Sequence, residues 1–259
     1  MRALWTGASG MNSMQLNLDV ISNNLANSKT TAYKRSRADF EDLIYQTLKM
    51  PGTENGDGTQ TPTGMQVGLG SRPAAIQKIF TQGDYENTGN NLDWAIEGLG
   101  FFKILANGEE VYTRAGAFKL DRDGYVVTAE GYRLQPEFSV PQGTVNITID
   151  AYGLITASDQ GGNPLAQAQL TITDFPNPAG LISMGRNLYR QSEASGDPIE
   201  GNPGTDSFGT IAQGFLEQSN VDVVLEMVDM IVTQRAYELN SKAVQTADEM
   251  MGIANNLKR

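Results

Sequence analysis

Residues 219–259 read SNVDVVLEMVDMIVTQRAYELNSKAVQTADEMMGIANNLKR, and the spacing inside this stretch decides the fold. Apolar or small residues stand at Leu225, Val228, Val232, Ala236, Leu239, Ala243, Met250, Ile253 and Leu257, with Thr246 the one polar member. Steps of three and four put these positions on one stripe of a helix. Their near-repeat of seven favours a left-handed supercoil with a second helix. Ser219 is placed to cap the first turn, and Asp222 three residues later is a capping-box-like acid near the helix N-terminus. At ~1.5 Å per residue the helix would run about 55–60 Å, well beyond the average globular helix. A helix of that length with a narrow apolar seam needs a partner.

A matching seam lies at the other end of the chain. Leu4, Gly7, Met11, Met14, Leu18, Ile21 and Leu25 repeat the same alternation, while Gln15, Asn17, Asp19, Ser22, Asn23 and Asn24 fill the other faces. Gly7, Gly10, Asn12, Asn23 and Asn24 are weak helix formers, so this helix should be ordered by its neighbours. The small residues of TGASG would permit close helix packing. The two ends are expected to pack together, inside one globular core or in an assembly. Leu4, Met11, Met14, Leu18, Ile21, Leu25, Leu225, Val228, Val232, Leu239, Ala243, Met250, Ile253 and Leu257 would then hold the helices to each other or to neighbouring subunits.

Between the ends the chain changes character twice. Lys34, Arg35 and Arg37 form a short basic cluster followed at once by Asp39, Glu41 and Asp42, which reads as a solvated or intermolecular salt-bridging surface. Phe40, Leu43, Ile44 and Leu48 suit a short amphipathic helix or strand. The run Pro51 to Gly70 is dense in Gly, Pro, Thr, Asn and Asp and reads as a linker or long loop. From about Ser71 to Gly214, strand-length runs alternate with turn signals at Asn107-Gly108, Asp123-Gly124, Glu130-Gly131 and Tyr152-Gly153. The fold class expected is α+β. Long N- and C-terminal helices, the first ending near Asn27, pack as a coiled-coil-like layer in a terminal assembly domain (1–45 and 219–259), with an irregular extended linker (46–70) beside it. The central part (71–218) is an all-β antiparallel domain, barrel- or sandwich-like.

Composition narrows the function classes. The chain has 259 residues and a net charge of −11; segment 46–218 carries ten basic and twenty acidic residues, against five and four before it and four and six after it. That acidic centre, with no basic and aromatic patch, argues against nucleic acid. Histidine and cysteine are both absent. The commonest general base, the thiol nucleophile and the usual zinc ligands are therefore missing. Asp121 and Asp123 before Gly124 read as a hairpin turn rather than a calcium loop. Gly98-Leu99-Gly100 leads into a strand, not a helix, and is no dinucleotide fingerprint. No cofactor, metal site or catalytic residue is expected. No run approaches the roughly twenty apolar residues of a membrane span, so no membrane insertion is expected. MRALWTGASG lacks the apolar core of a secretory signal.

Three blocks carry a resemblance. Residues 3–40 (ALWTGASGMNSMQLNLDVISNNLANSKTTAYKRSRADF) resemble the N-terminal signature of the flagellar rod and hook family of axial proteins. GLGFF, YTRAGAF and DRDGYVVTAEGYRLQP (98–102, 112–118, 121–136) resemble its shared middle domain, and residues 219–251 resemble its C-terminal signature. The resemblance implies a structural subunit of the distal part of the flagellar rod. Its helices would line a helical tube, with its β domain outside. The tube would cross the periplasm and carry torque from motor to hook. Implied partners are further copies of the chain, proximal rod proteins, the hook protein, the bushing rings of the basal body and the flagellar type III export apparatus. Export would need no cleaved signal. Contacts that do not close on themselves build open helical polymers of this kind. The stretch around Pro51, Gly52, Gly58, Pro62 and Gly64 would stiffen the rod. Another rod or hook member of the family is the alternative within it. Outside it stands a secreted adhesin or carbohydrate-binding β domain, which would need an exposed aromatic platform at Trp94, Phe101 and Phe102.

Overall fold

A computed structural model of the chain describes residues 2–51, 63–205 and 208–256. The architecture is α+β, with one helix near each end and antiparallel ladders between them. The chain divides into two compact units. One comprises Met1–Ala26, Ser36–Lys78 and Asp222–Arg259; the other comprises Asn27–Arg35 and Ile79–Val221.

In the first unit, helix α1 (Arg2–Ala26) packs on helix α2 (Val223–Asn256) and on strands β1 (Ser36–Asp42) and β4 (Ser71–Lys78). The α2 helix is shorter than 219–259, because its cap is Asp222 rather than Ser219. Asp222 Oδ1 accepts the N–H of Val224 at 2.9 Å and of Leu225 at 3.2 Å, and its carbonyl accepts the N–H of Glu226. Those bonds satisfy donors that the first helical turn leaves open. Ser219 instead accepts the N–H of Val221 in the turn before it. With 34 residues, α2 is about 51 Å long.

Strands β1 and β4 pair antiparallel, with a register shift between Asp39 and Phe40 opposite Pro73. A proline cannot donate to the ladder and is accommodated at such irregularities. Gly70, just before β4, has φ +118, and a Cβ there would collide with the Ser9 hydroxyl of α1. Only glycine allows both the backbone angle and the close approach. Strands β2 (Tyr45–Lys49) and β3 (Met65–Gly68) also pair antiparallel. Within 46–70, residues 46–49 and 65–68 are therefore strand, and Ser71–Lys78 falls in the unit of the helices. Gly/Pro/Thr density marks 51–70 as a linker or long loop. It concealed the ladder because only the flanks, YQTLK and MQVG, have strand composition. Of the linker positions, Pro51 and Gly64 pack together; Gly52, Gly58 and Pro62 lie outside the described residues.

The second unit is β-rich. Strands β5 (Tyr85–Asn87) and β6 (Trp94–Glu97) pair with Phe215–Glu217 and Thr210–Gln213. Strands β7 (Phe101–Ala106) and β8 (Glu109–Thr113) form a hairpin turned by Asn107 and Gly108, both at positive φ. That is the backbone an Asn-Gly turn favours. They sit inside a nine-stranded sheet that also takes in Arg133–Gln135, Leu188–Arg190 and Ile172–Asp174. Asn146–Ile149, Leu154–Ser158 and Pro164–Gln169 make a separate three-stranded sheet. The Asp121–Gly124 segment is a turn, with Gly124 N–H donating to Asp121 C=O.

The core explains why β7, apart from Lys103, is apolar on both faces. Successive residues point to opposite faces. Phe102 and Ile104 enter the main cluster with Trp94, Phe118, Leu134 and Ile172. Phe101 enters a second cluster with Tyr112, Phe175 and Tyr189. Both faces of the strand are covered. Trp94, Phe101 and Phe102 are buried, so they make no aromatic platform for a sugar.

Candidate assembly surface

Helices α1 and α2 run antiparallel, and a row of polar and small residues lies in their contact. Asn17 Nδ2 donates to Thr233 Oγ1 at 2.9 Å, and Thr233 Oγ1 in turn donates to Asp229 C=O at 2.7 Å. One turn-pair along, Asn24 Nδ2 donates to Glu226 Oε2 at 3.3 Å. The same Asn24 amide clasps Ser36, donating to its carbonyl at 2.8 Å and accepting its N–H at 2.9 Å. In the other direction the glycines admit α2. A Cβ on Gly10 would stand 3.0 Å from Asn240 Nδ2, and one on Gly7 would stand 2.7 Å from Val244 Cγ2. Glu226, Thr233 and Ala247 are buried; Asn240 falls between the last two with the same spacing of seven.

The apolar stripe of α2 faces elsewhere. Leu225, Val228, Val232, Leu239, Ala243, Met250 and Ile253 are exposed, Leu239 by 66%. Leu225, Val232 and Leu239 each precede a residue of the α1-facing row by one position. One residue is a rotation of about 100°. Val224, Met227 and Ile231 widen the exposed band. The same unit exposes further apolar groups on the β2–β3 ladder. Ile44 (79%), just before β2, is exposed, as are Leu48 and Val67 in the ladder. Isolated exposed hydrophobes are ordinary, but a continuous band along a helix marks an interaction surface.

The β unit holds a charged cluster that composition did not reveal. Lys34 Nζ lies 2.5 Å from Glu217 Oε1, and Arg114 Nε lies 3.0 Å from Glu217 Oε2. Lys34 also donates to Thr81 C=O, Arg114 to the carbonyls of Gly98 and Gly100, and Gly83 N–H donates to Glu217. Burial alone would raise the Glu217 carboxyl, but Arg114 and Lys34 together outweigh it and hold that group below its ordinary range. Burial pulls the Lys34 ammonium down, against the upward pull of Glu217. This is a structural clasp rather than a reactive centre: each heteroatom of the carboxylate is already engaged. Among the described residues, no group of three or more Asp or Glu is placed to hold a metal ion.

Comparison with known proteins bears on what the exposed band is for. Residues 4–34 match the family described as "Flagella basal body rod protein", residues 95–157 "Flagellar hook protein FlgE/F/G D1 domain", and residues 212–257 "Flagellar basal body rod FlgEFG protein C-terminal". The chain is 49% identical over its full length to the flagellar basal-body rod protein FlgG of Borreliella burgdorferi, covering 99% of that protein. It is 48% identical to FlgG of Agrobacterium fabrum, with all of both chains aligned. The chain belongs to the flagellar basal-body rod protein family. Bacillus subtilis FlhP, a flagellar hook-basal body complex protein, is also similar, at 31% over both full lengths.

Within this rod-family chain the expected seam residues divide sharply. On α1, Ile21 is buried and Leu4, Met11, Met14, Leu18 and Leu25 are half-buried. On α2 Leu225, Val228, Val232, Leu239, Ala243, Met250 and Ile253 are exposed, and Leu257 lies outside the described residues. The reading sought an apolar partner face, whereas the face that meets α1 carries Glu226, Thr233 and Asn240. A spacing of seven through those residues, mirrored by Asn24, Asn17 and Gly10, was the available signal. The basic cluster also divides. Arg37 pairs with Asp39 at the surface, but Lys34 is fully buried, because a carboxylate 183 residues away lies against it.

Proposed function

We propose that this rod-family chain is a structural subunit of the distal flagellar rod, polymerising through its helices into a tube that transmits torque to the hook. The observation that carries the reading is the apolar band of α2, left exposed beside a helix pair whose own contact holds a polar row. A chain meant to stand alone would turn Leu225, Val232 and Leu239 toward α1. Burying such side chains against neighbours contributes ~1.5–3 kcal/mol each, and the repeat near seven suits a coiled-coil-like packing between subunits. The helices then form the inner layer, and the β unit, of barrel or sandwich type, the outer one. The end-to-end likeness to proteins named basal-body rod protein supports a rod subunit over a hook subunit or an adhesin, and those names describe structural components, not enzymes.

On this reading the partners are further copies, the proximal rod, the hook protein, the surrounding rings and the type III export apparatus. The location is the basal body across the periplasm. Among the described residues no helix is long and apolar enough to cross a membrane. The seam expectation becomes a sharper one. Leu239→Asp places a charge in the middle of the band, yet disturbs nothing inside the chain. Electron microscopy of the purified protein at rising concentration should show straight tubes for the parent and none for the variant, while circular dichroism shows the β unit intact. Tubes of equal length and number from Leu239→Asp would refute the assignment of this face.

A further inference from the structure

We propose that the polar row between α1 and α2 is a register key. Glu226, Thr233 and Asn240 meet Asn24, Asn17 and Gly10 in antiparallel rungs spaced by seven. An amphipathic helix pair can slide by one heptad and keep its faces, so apolar contacts alone specify alignment weakly. A slide of one heptad leaves a polar group of the row without its partner in either direction: one carries Glu226 beyond the end of α1, and the other sets Thr233 against Gly10, which has no side chain to bond it. Polar residues inside a helix seam set register in this way, at a cost in stability.

The chemistry of the rungs fits that role. Thr233 uses its hydroxyl fully, accepting from Asn17 and donating to Asp229 C=O. A slide of seven would bring Asn17 to Asn240 or to Glu226, and Thr233 to Gly10 or Asn24. The Gly7 and Gly10 clearances would meet different side chains as well. The register matters because the exposed band of α2 lies about 100° from the rungs on the same helix. Fixing α2 along α1 fixes the height at which Leu225, Val232 and Leu239 are offered. The inference rests on the reading of that band as the assembly surface.

The test uses the full-length chain, which has no cysteine of its own. Gly7→Cys with Val244→Cys reports the register seen here; Gly7→Cys with Tyr237→Cys reports the slide that sets Thr233 against Gly10. In the parent, the first pair should crosslink about tenfold more than the second. Thr233→Val takes the acceptor from Asn17 in the register seen here, whereas the slide would give Asn17 the Glu226 carboxylate. It should bring the two yields within about twofold of each other and cut the yield of straight polymer about fivefold. Thr233→Ala should shift the ratio the same way, which covers a Thr233→Val variant that fails to fold. Thr233→Ser keeps the hydroxyl and should keep the parent ratio.

An unchanged crosslink ratio in both apolar variants overturns the key. So does a fall in melting temperature with the ratio intact, since the rung would then serve stability alone. A parent that forms no polymer at any concentration would remove the rod reading, and the crosslink ratio would still decide the register.

Discussion

At Glu217 a single carboxylate, almost wholly enclosed, answers two cations from distant parts of the chain. Replacing one partner of a buried ion pair leaves uncompensated charge and costs ~3–5 kcal/mol. Glu217→Gln should therefore lower the thermal stability of the β unit by several degrees or more. The pH dependence has a definite sign. The folded carboxyl titrates below its ordinary value, so its contribution is complete above the unfolded pKa of about 4.3 and is lost as pH falls through the lower folded value. Melting curves between pH 7 and pH 3 should show a steeper acid loss in the parent than in Glu217→Gln. Parallel curves would mean that other carboxylates govern acid unfolding. None of this was legible from Lys34 or Glu217 in isolation. A lysine beside Arg35 and Arg37 looks solvated until the fold supplies its anion.

Helix α2 shows how far an element can be read without its surroundings. Its existence and amphipathic band follow from local spacing, and one long helix does run from Val223 to Asn256. The start depended on which of two acceptors, Ser219 or Asp222, the backbone would reach, and Asp222 holds two N–H groups. Asp222→Ala should cost ~1 kcal/mol and fray the helix end. Hydrogen exchange at Val224 and Leu225 should then quicken with little change beyond the second turn. Unaltered exchange there would assign the cap to another group. The orientation of the band was not local information. A stripe of apolar residues states that something must cover it, and α1 turned out to cover the neighbouring polar row.

For the molecule as a whole, the segment joining β2 to β3 gives the remaining prediction. If it stiffens the rod by meeting neighbouring subunits, removing residues 53–63 should change filament bending or shape in micrographs. The circular dichroism and melting of the β unit should stay as in the parent. Among the described residues, the clusters around Trp94 and Phe101 are formed wholly within Ile79–Val221. Loss of the folded β unit on deletion would refute the idea. The division into units also changes how the middle of the chain is viewed. Residues 46–78 fall in the unit of the helices, although by composition they read as a linker and the start of a β domain.

The sequence by itself determined what short-range physics controls. It settled the two helices, the Asn-Gly and Asp-Gly turns, the antiparallel character between them and, through three motif blocks, the family. Each depends on residues within a few positions of one another, where spacing and backbone preference act directly. Only the tertiary structure decided which face of α2 meets α1, that β2 and β3 pair within a loop-like stretch, and that Lys34 is enclosed with Glu217 and Arg114. Those outcomes depend on pairs far apart in the chain. Burial there turns a polar side chain into a contact only when its complement arrives from elsewhere.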